Sequence, residues 1–132
     1  MPLYPSAKTS FLTQNPSIDM DSDTIKVALI AGNISYNSAN TVKSSVASYG
    51  STTDQTLTSI SVQSGVFDAG NAVFPTVNVA SAQPVSALVI YKDTGTASTS
   101  PLIAWIDVTP VTPNGGNITV QWDDTASKIF AL

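Results

Sequence analysis

Two short runs constrain this chain more than anything else in it: Ala87-Leu88-Val89-Ile90-Tyr91-Lys92 and Leu102-Ile103-Ala104-Trp105-Ile106-Asp107. Both are dense in β-branched and aromatic residues, which suit a pleated, packed surface. Between them lies Asp93-Thr94-Gly95-Thr96-Ala97-Ser98-Thr99-Ser100-Pro101, a stretch rich in turn formers. The pair reads as two strands joined by a polar loop. Neither run alternates apolar and polar residues. A near-continuous apolar strand is buried on both faces, or lies where two sheets meet. The pair is therefore expected in the middle of a β-sandwich that the rest of the chain covers.

The remaining segments fit that frame. Residues 1–16 read as an N-terminal arm, because Pro2, Pro5 and Pro16 interrupt regular structure. The arm nevertheless carries Leu3, Tyr4, Phe11 and Leu12, more apolar surface than a free tail holds. These four are the candidate partner-binding residues: the arm either folds back on its own domain or docks on a neighbour, and docking is the expectation. Residues 17–132 form the sandwich domain. Thr24–Ala31 is its first strand. Ser38–Gly50 is the one helix candidate, with Val42, Val46 and Tyr49 at helical spacing, Asn40 as start cap and Gly50 as stop. From Leu57 to Gln63 the period is two, which places Leu57 opposite Ile60 and Val62. Ser64-Gly65 and Ala69-Gly70-Asn71 read as turns. Ala72–Val79 is strand-like, but Pro75 restricts it to an edge or bulge. Asn114-Gly115 is a tight-turn signal. Ile118, Val120 and Trp122 share one strand face, Asp123–Ser127 turns, and Lys128–Leu132 ends the chain as a strand. The fold class is thus all-β, an antiparallel β-sandwich or jelly roll of about eight strands with one short helix.

Composition narrows function. A chain of 132 residues is one domain, long enough to form a core without disulfides, and it has no cysteine. All nine acidic residues are Asp and all five basic ones are Lys, with no His and no Arg. No imidazole serves as a base near neutral pH, and no guanidinium clamps a phosphate. The net charge of −4 argues against a duplex DNA partner. The polar surface must be Ser, Thr, Asn and Gln, which cost less to desolvate than charges. That suits a domain packed against neighbours, and equally an ordinary surface β domain. The N-terminus lacks a basic start followed by an apolar core, so no signal peptide is expected. No apolar run is long enough to span a bilayer, so no membrane partner is expected. Synthesis in a cytoplasm is the expectation.

The candidate chemistry is thin. Asp19, Asp21 and Asp23 alternate like the start of a calcium loop, but Thr24 and Ile30 stand where such a loop needs Gly and Glu. A solvated turn into a strand is the simpler reading. Asp123 and Asp124 are adjacent and would face opposite ways on a strand. Two distant Asp facing each other across a cleft would be needed for glycoside hydrolysis. Lys92 is an exposed strand-end lysine before it is a nucleophile. No phosphate-binding loop follows Gly65 or Gly115. Trp105 and Trp122 lie within apolar strand patterns and read as core; either one facing outward would offer a glycan platform. No catalytic residue, cofactor or metal site is expected.

Several blocks resemble a known family. They are Phe11–Leu29, Gly65-Val66-Phe67-Asp68-Ala69, Leu88–Gly95, Ser100–Asp107, Pro110–Asp123 and Lys128-Ile129-Phe130. They resemble small virion-associated structural proteins of tailed double-stranded DNA bacteriophages. The likeness covers most of the chain outside the first ten residues and the loop from Tyr36 to Ile60. It implies a non-enzymatic particle component located in the virion. Within that class the expectation is a capsid decoration or cement protein that binds the major capsid protein and self-associates in the particle. A neck, tail or fibre component is the alternative, and a glycan-binding module on the virion surface is the alternative of another kind.

Overall fold

In a computed structural model the two apolar runs become β6, Val85–Lys92, and β7, Leu102–Val111. The structure describes residues 3–50, 52–80, 82–122 and 129–131. β6 and β7 pair antiparallel, with Val89 opposite Trp105. On the other side of β6 runs β1, Ile25–Ala31, with Val27 opposite Ile90. β2, Gln55–Thr56, closes that side, so the order is β2-β1-β6-β7. β6 is interior, as its composition demands. β7 is the edge of this sheet among the described residues, which lets it carry Pro110.

The second layer consists of two small antiparallel sheets. β3 (Ser61–Gln63), β4 (Val66–Asp68) and β9 (Phe130–Ala131) form one, in that order. β5 (Ala72–Phe74) and β8 (Ile118–Val120) form the other. The inner core joins Val27, Leu29, Leu88 and Ile90 of the large sheet to Phe67, Phe74 and Phe130 of this layer. The outer face of the large sheet is buried too. There Ala28, Ile30, Ala87 and Val89 pack under Tyr4, Ala7 and Val46. Each larger aliphatic side chain fully buried this way contributes about 1.5–3 kcal/mol. Among the described residues the fold is an all-β sandwich of nine strands with one short helix, its central strands covered on both faces.

Three local expectations are corrected. The helix is not at Ser38–Gly50, where only one 3-10 turn forms, Lys43–Ser45. Val42 instead bridges Pro101, and the Tyr49 N–H donates to Leu29 O at 2.7 Å, extending the edge of β1. Val46 and Tyr49 are both buried, but in different cores. The helix, α1, is Pro5–Thr13, within the arm whose prolines suggest interruption. Pro5 takes the first helical position, where its missing N–H has no partner to lose. Gln14 ends the helix in the left-handed region. The alternation from Leu57 to Gln63 does not give one strand. Ser59 has φ +52°, which breaks the pleat, so that β2 stops at Thr56 and β3 begins only at Ser61.

Other readings stand. Ser64 and Gly65 both have positive φ and join β3 to β4 by a two-residue turn. Pro75 directly follows β5, which pairs on one side only among the described residues. The C-terminal segment is tied into a sheet through Phe67 opposite Phe130. The turn expected at Asp123–Ser127, with Lys128 and Leu132, lies outside the described residues.

Candidate functional site

The arm wraps round the edge of the large sheet. Leu3 bridges Ala104 on the outer side of β7, and the Tyr4 N–H donates to Ile103 O at 2.9 Å. From there α1 runs with Ala7 and Ser10 buried against the body. Tyr4 lies in the outer core, its ring 5.2 Å from Tyr36, which in turn sits 6.0 Å from Trp105. Phe11 reaches the other core, with its ring 6.4 Å from Phe130. Three of the four candidate arm residues, Leu3, Tyr4 and Phe11, therefore pack on this chain's own domain. Leu12 does not: it is 88% exposed.

Beside Phe11 lies a groove of about 330 Å³, lined by Ile18, Met20, Val62, Phe67 and Phe130. Its rim carries Asp19 and Asp21. β3 flanks it with all three residues exposed. The groove thus offers an apolar lining bordered by acid, with Phe11 and the exposed Val62 at its mouth, the kind of surface that a protein partner can cover. A second groove of about 370 Å³ opens between β7 and β8, lined by Ile106, Val108, Ile118 and Trp122.

The arm is held imperfectly. The Tyr4 and Ser6 hydroxyl oxygens are buried without a hydrogen-bond partner among the described residues. Burial, and after it the neighbouring Tyr36, pushes the Tyr4 hydroxyl up to about 12. On the helix side facing Thr41 and Pro101 an open groove of about 400 Å³ runs along the surface, with Ser6, Thr9 and Ser10 on its wall.

The charged residues serve the fold. In the acidic turn the Asp19 N–H donates to Asp23 and the Asp21 N–H donates to Asp19. Bonds from the Ser22 side chain and the Asp21 N–H hold the Asp19 carboxyl below its usual range. Asp23 also meets Lys92 at 3.2 Å, and Lys92 donates to Ser17 O at 2.7 Å. These carboxylates bind the turn together and join it to β6. Lys26 meets Asp93 at 3.1 Å. The Gly95 N–H first, and then Lys26, keep the Asp93 carboxyl low.

One polar cluster is partly buried. Asp54 accepts from the Ser48 hydroxyl at 2.7 Å and from the Tyr91 hydroxyl at 2.5 Å. Lys43 lies above the Tyr91 ring, 5.6 Å from its centroid, and donates to Val46 O. Burial pulls the Lys43 amine down and pushes the Tyr91 hydroxyl up. The cluster pins the 42–54 loop to β6, and sequence reasoning missed it. The signal available was a lone Lys among Val42, Val46 and Tyr49, which only the fold brings to Tyr91.

Trp105 is buried, and its indole N–H donates to Asp107 at 2.9 Å. Trp122 is half-buried and donates to Gly70 O at 3.0 Å. Among the described residues no helix is long and apolar enough to cross a membrane, and no three His, Cys, Asp or Glu come together as a metal site. No family model matches the chain, and no curated protein matches it either.

Proposed function

We propose that this chain is a non-enzymatic virion structural protein of the capsid decoration or cement type. In this reading it binds across boundaries between major capsid protein subunits and stabilises the shell. The observation that carries the reading is apolar surface left open where the arm ends: Leu12 stands 88% exposed, and a separate groove lined by Phe11, Val62 and Phe130 opens beside β3. Such surface favours a protein partner over water. The resemblance of the Phe11–Leu29, Leu88–Gly95 and Ser100–Asp107 blocks to virion-associated phage proteins supports the same class. So does the use of Asp19, Asp23, Asp54, Asp93, Lys26 and Lys92 in ties within the fold rather than across a cleft.

The mechanism is linkage. A protein that binds the assembled shell and not its dissociated subunits stabilises the shell by about 2.7 kcal/mol at a concentration 100 times Kd. Many copies acting on one lattice add avidity without new contacts. Apart from Asp19 and Asp21 on its rim, the groove proposed to meet the shell has no charged lining residue, so little desolvation opposes binding.

The test uses shells of the encoding phage that lack this protein, with and without added purified chain. The reading expects the added chain to raise the temperature of shell disruption, and Leu12→Ser to reduce that rise while leaving the free chain folded. Equal disruption temperatures with and without the chain, at saturating concentration, would overturn it.

A further inference from the structure

We propose that the arm is exchanged between copies: the seat on β7 that holds Leu3–Thr13 of its own chain accepts the same segment of a second copy. This goes beyond the shell reading and does not rest on it. It rests on how the arm is attached.

The seat and its occupant are complementary as they stand. The Tyr4 N–H to Ile103 O bond, the burial of Tyr4, Ala7 and Ser10, and the Phe11–Phe130 contact all lie between the arm and the body. None depends on the arm belonging to the same chain. Closed and exchanged forms therefore share these contacts and differ in the connection and in the entropy of association.

The connection is exposed and meets the body chiefly through the Lys92 bond to Ser17 O. Leu12 through Ser17 are all exposed, six residues in succession, before Ile18 enters the core. Of these, the four residues from Gln14 to Ser17 lie outside the helix and reach roughly 13 Å when extended. Two buried hydroxyls of the seat have no hydrogen-bond partner among the described residues, and an open groove of about 400 Å³ runs between α1 and Thr41 and Pro101. An unpaired buried hydroxyl opposes docking, so the arm leaves its seat, in either form, more readily than its burial suggests.

The free edge points to the same occupant. Beyond Ala104, β7 continues as an edge through Thr109, Pro110 and Val111, all exposed. Pro110 cannot donate to a new ladder, which blunts direct strand-to-strand pairing of two copies. The part of the edge that does accept a bond, at Ile103, is the part the arm covers.

Leu3 and Ala104 provide the test. The Tyr4-to-Ile103 bond makes them a non-hydrogen-bonded antiparallel pair, the closer of the two pair types. Cysteines there suit a disulfide, and the chain has no cysteine of its own. Full-length L3C and A104C chains are mixed, concentrated and oxidised. Exchange predicts a disulfide-linked L3C–A104C heterodimer, and a doubled scattering mass for the unsubstituted chain as its concentration approaches the arm's effective concentration, on the order of mM. The doubly substituted L3C/A104C chain, once closed on itself, is expected to remain monomeric. Absence of the heterodimer while the double variant closes within one chain would overturn the proposal. So would failure of the double variant to close, because the seat would then not be built as described. If A104C fails to fold, light scattering on the unsubstituted chain decides alone: a monomer throughout that range overturns exchange.

Discussion

Two tyrosines, each losing one oxygen, should move stability in opposite directions. Tyr4 is 0% exposed and its hydroxyl has no partner among the described residues. Tyr4→Phe keeps the ring against Tyr36 and removes a desolvated group that contributes nothing in return. The relief is of order 1 kcal/mol, at the low end of the cost of an unpaired buried polar group. For a domain of this size that raises Tm by about 3–5 °C. Tyr91 is also buried, but its hydroxyl donates to Asp54 at 2.5 Å. Tyr91→Phe removes a bond to a carboxylate and leaves Asp54 with the Ser48 hydroxyl. The expected loss is about 1.5–3 kcal/mol. Urea unfolding of both variants beside the parent chain measures the pair. Alkaline pH adds a second readout. The folded Tyr4 hydroxyl is raised from 10.0 to about 12, so its contribution is intact below pH 10 and is lost as pH rises towards 12. The parent should therefore lose more stability than Tyr4→Phe across that window. Lys43 acts in the opposite sense, because its lowered value adds stability as pH rises, but both chains share it. A Tyr4→Phe chain less stable than the parent by about 1 kcal/mol or more would refute this account of the arm's seat.

Gly50 and Gly95 both have positive φ, yet Gly50→Ala should cost far more. A Cβ at Gly50 would lie 2.4 Å from Ala80 Cβ, whereas one at Gly95 meets nothing within 4 Å; thermal unfolding should show Gly95→Ala losing about 1 kcal/mol and Gly50→Ala clearly more. Phe74→Ala should cost about 3–5 kcal/mol by denaturant unfolding, since Phe74 is fully buried in the inner core. Leu12→Ser should change the stability of the free chain by less than about 0.5 kcal/mol, because the side chain is exposed. The same substitution should weaken shell binding in a co-sedimentation assay.

The large sheet was legible because burial on both faces leaves a plain mark: β1 and β6 are nearly unbroken apolar runs with no polar alternation to mislead. The helix was not. Pro5 reads as a breaker or as a first helical position depending on whether the residues after it continue the helix. Ala7 and Ser10 are small residues whose burial depends on a sheet far along the chain. At Leu57–Gln63 the period of two was real in sequence, but the positive φ of Ser59 is a tertiary outcome. The arm's apolar content was legible, its seat was not. Composition identifies a segment that must be covered, while the bridge from Leu3 to Ala104 depends on a pairing with a distant part of the chain. The Lys43–Tyr91–Asp54 cluster was hidden for the same reason.

On the proposed virion reading, the measurement that tests the central claim most directly is the copy number of this chain in purified particles of a phage that would encode it, by quantitative mass spectrometry against the major capsid protein. The decoration reading predicts hundreds of copies per particle, in a fixed ratio to the shell protein. A count near six or twelve would contradict it and place the chain in the neck or tail, and absence from the particle would contradict the virion assignment itself.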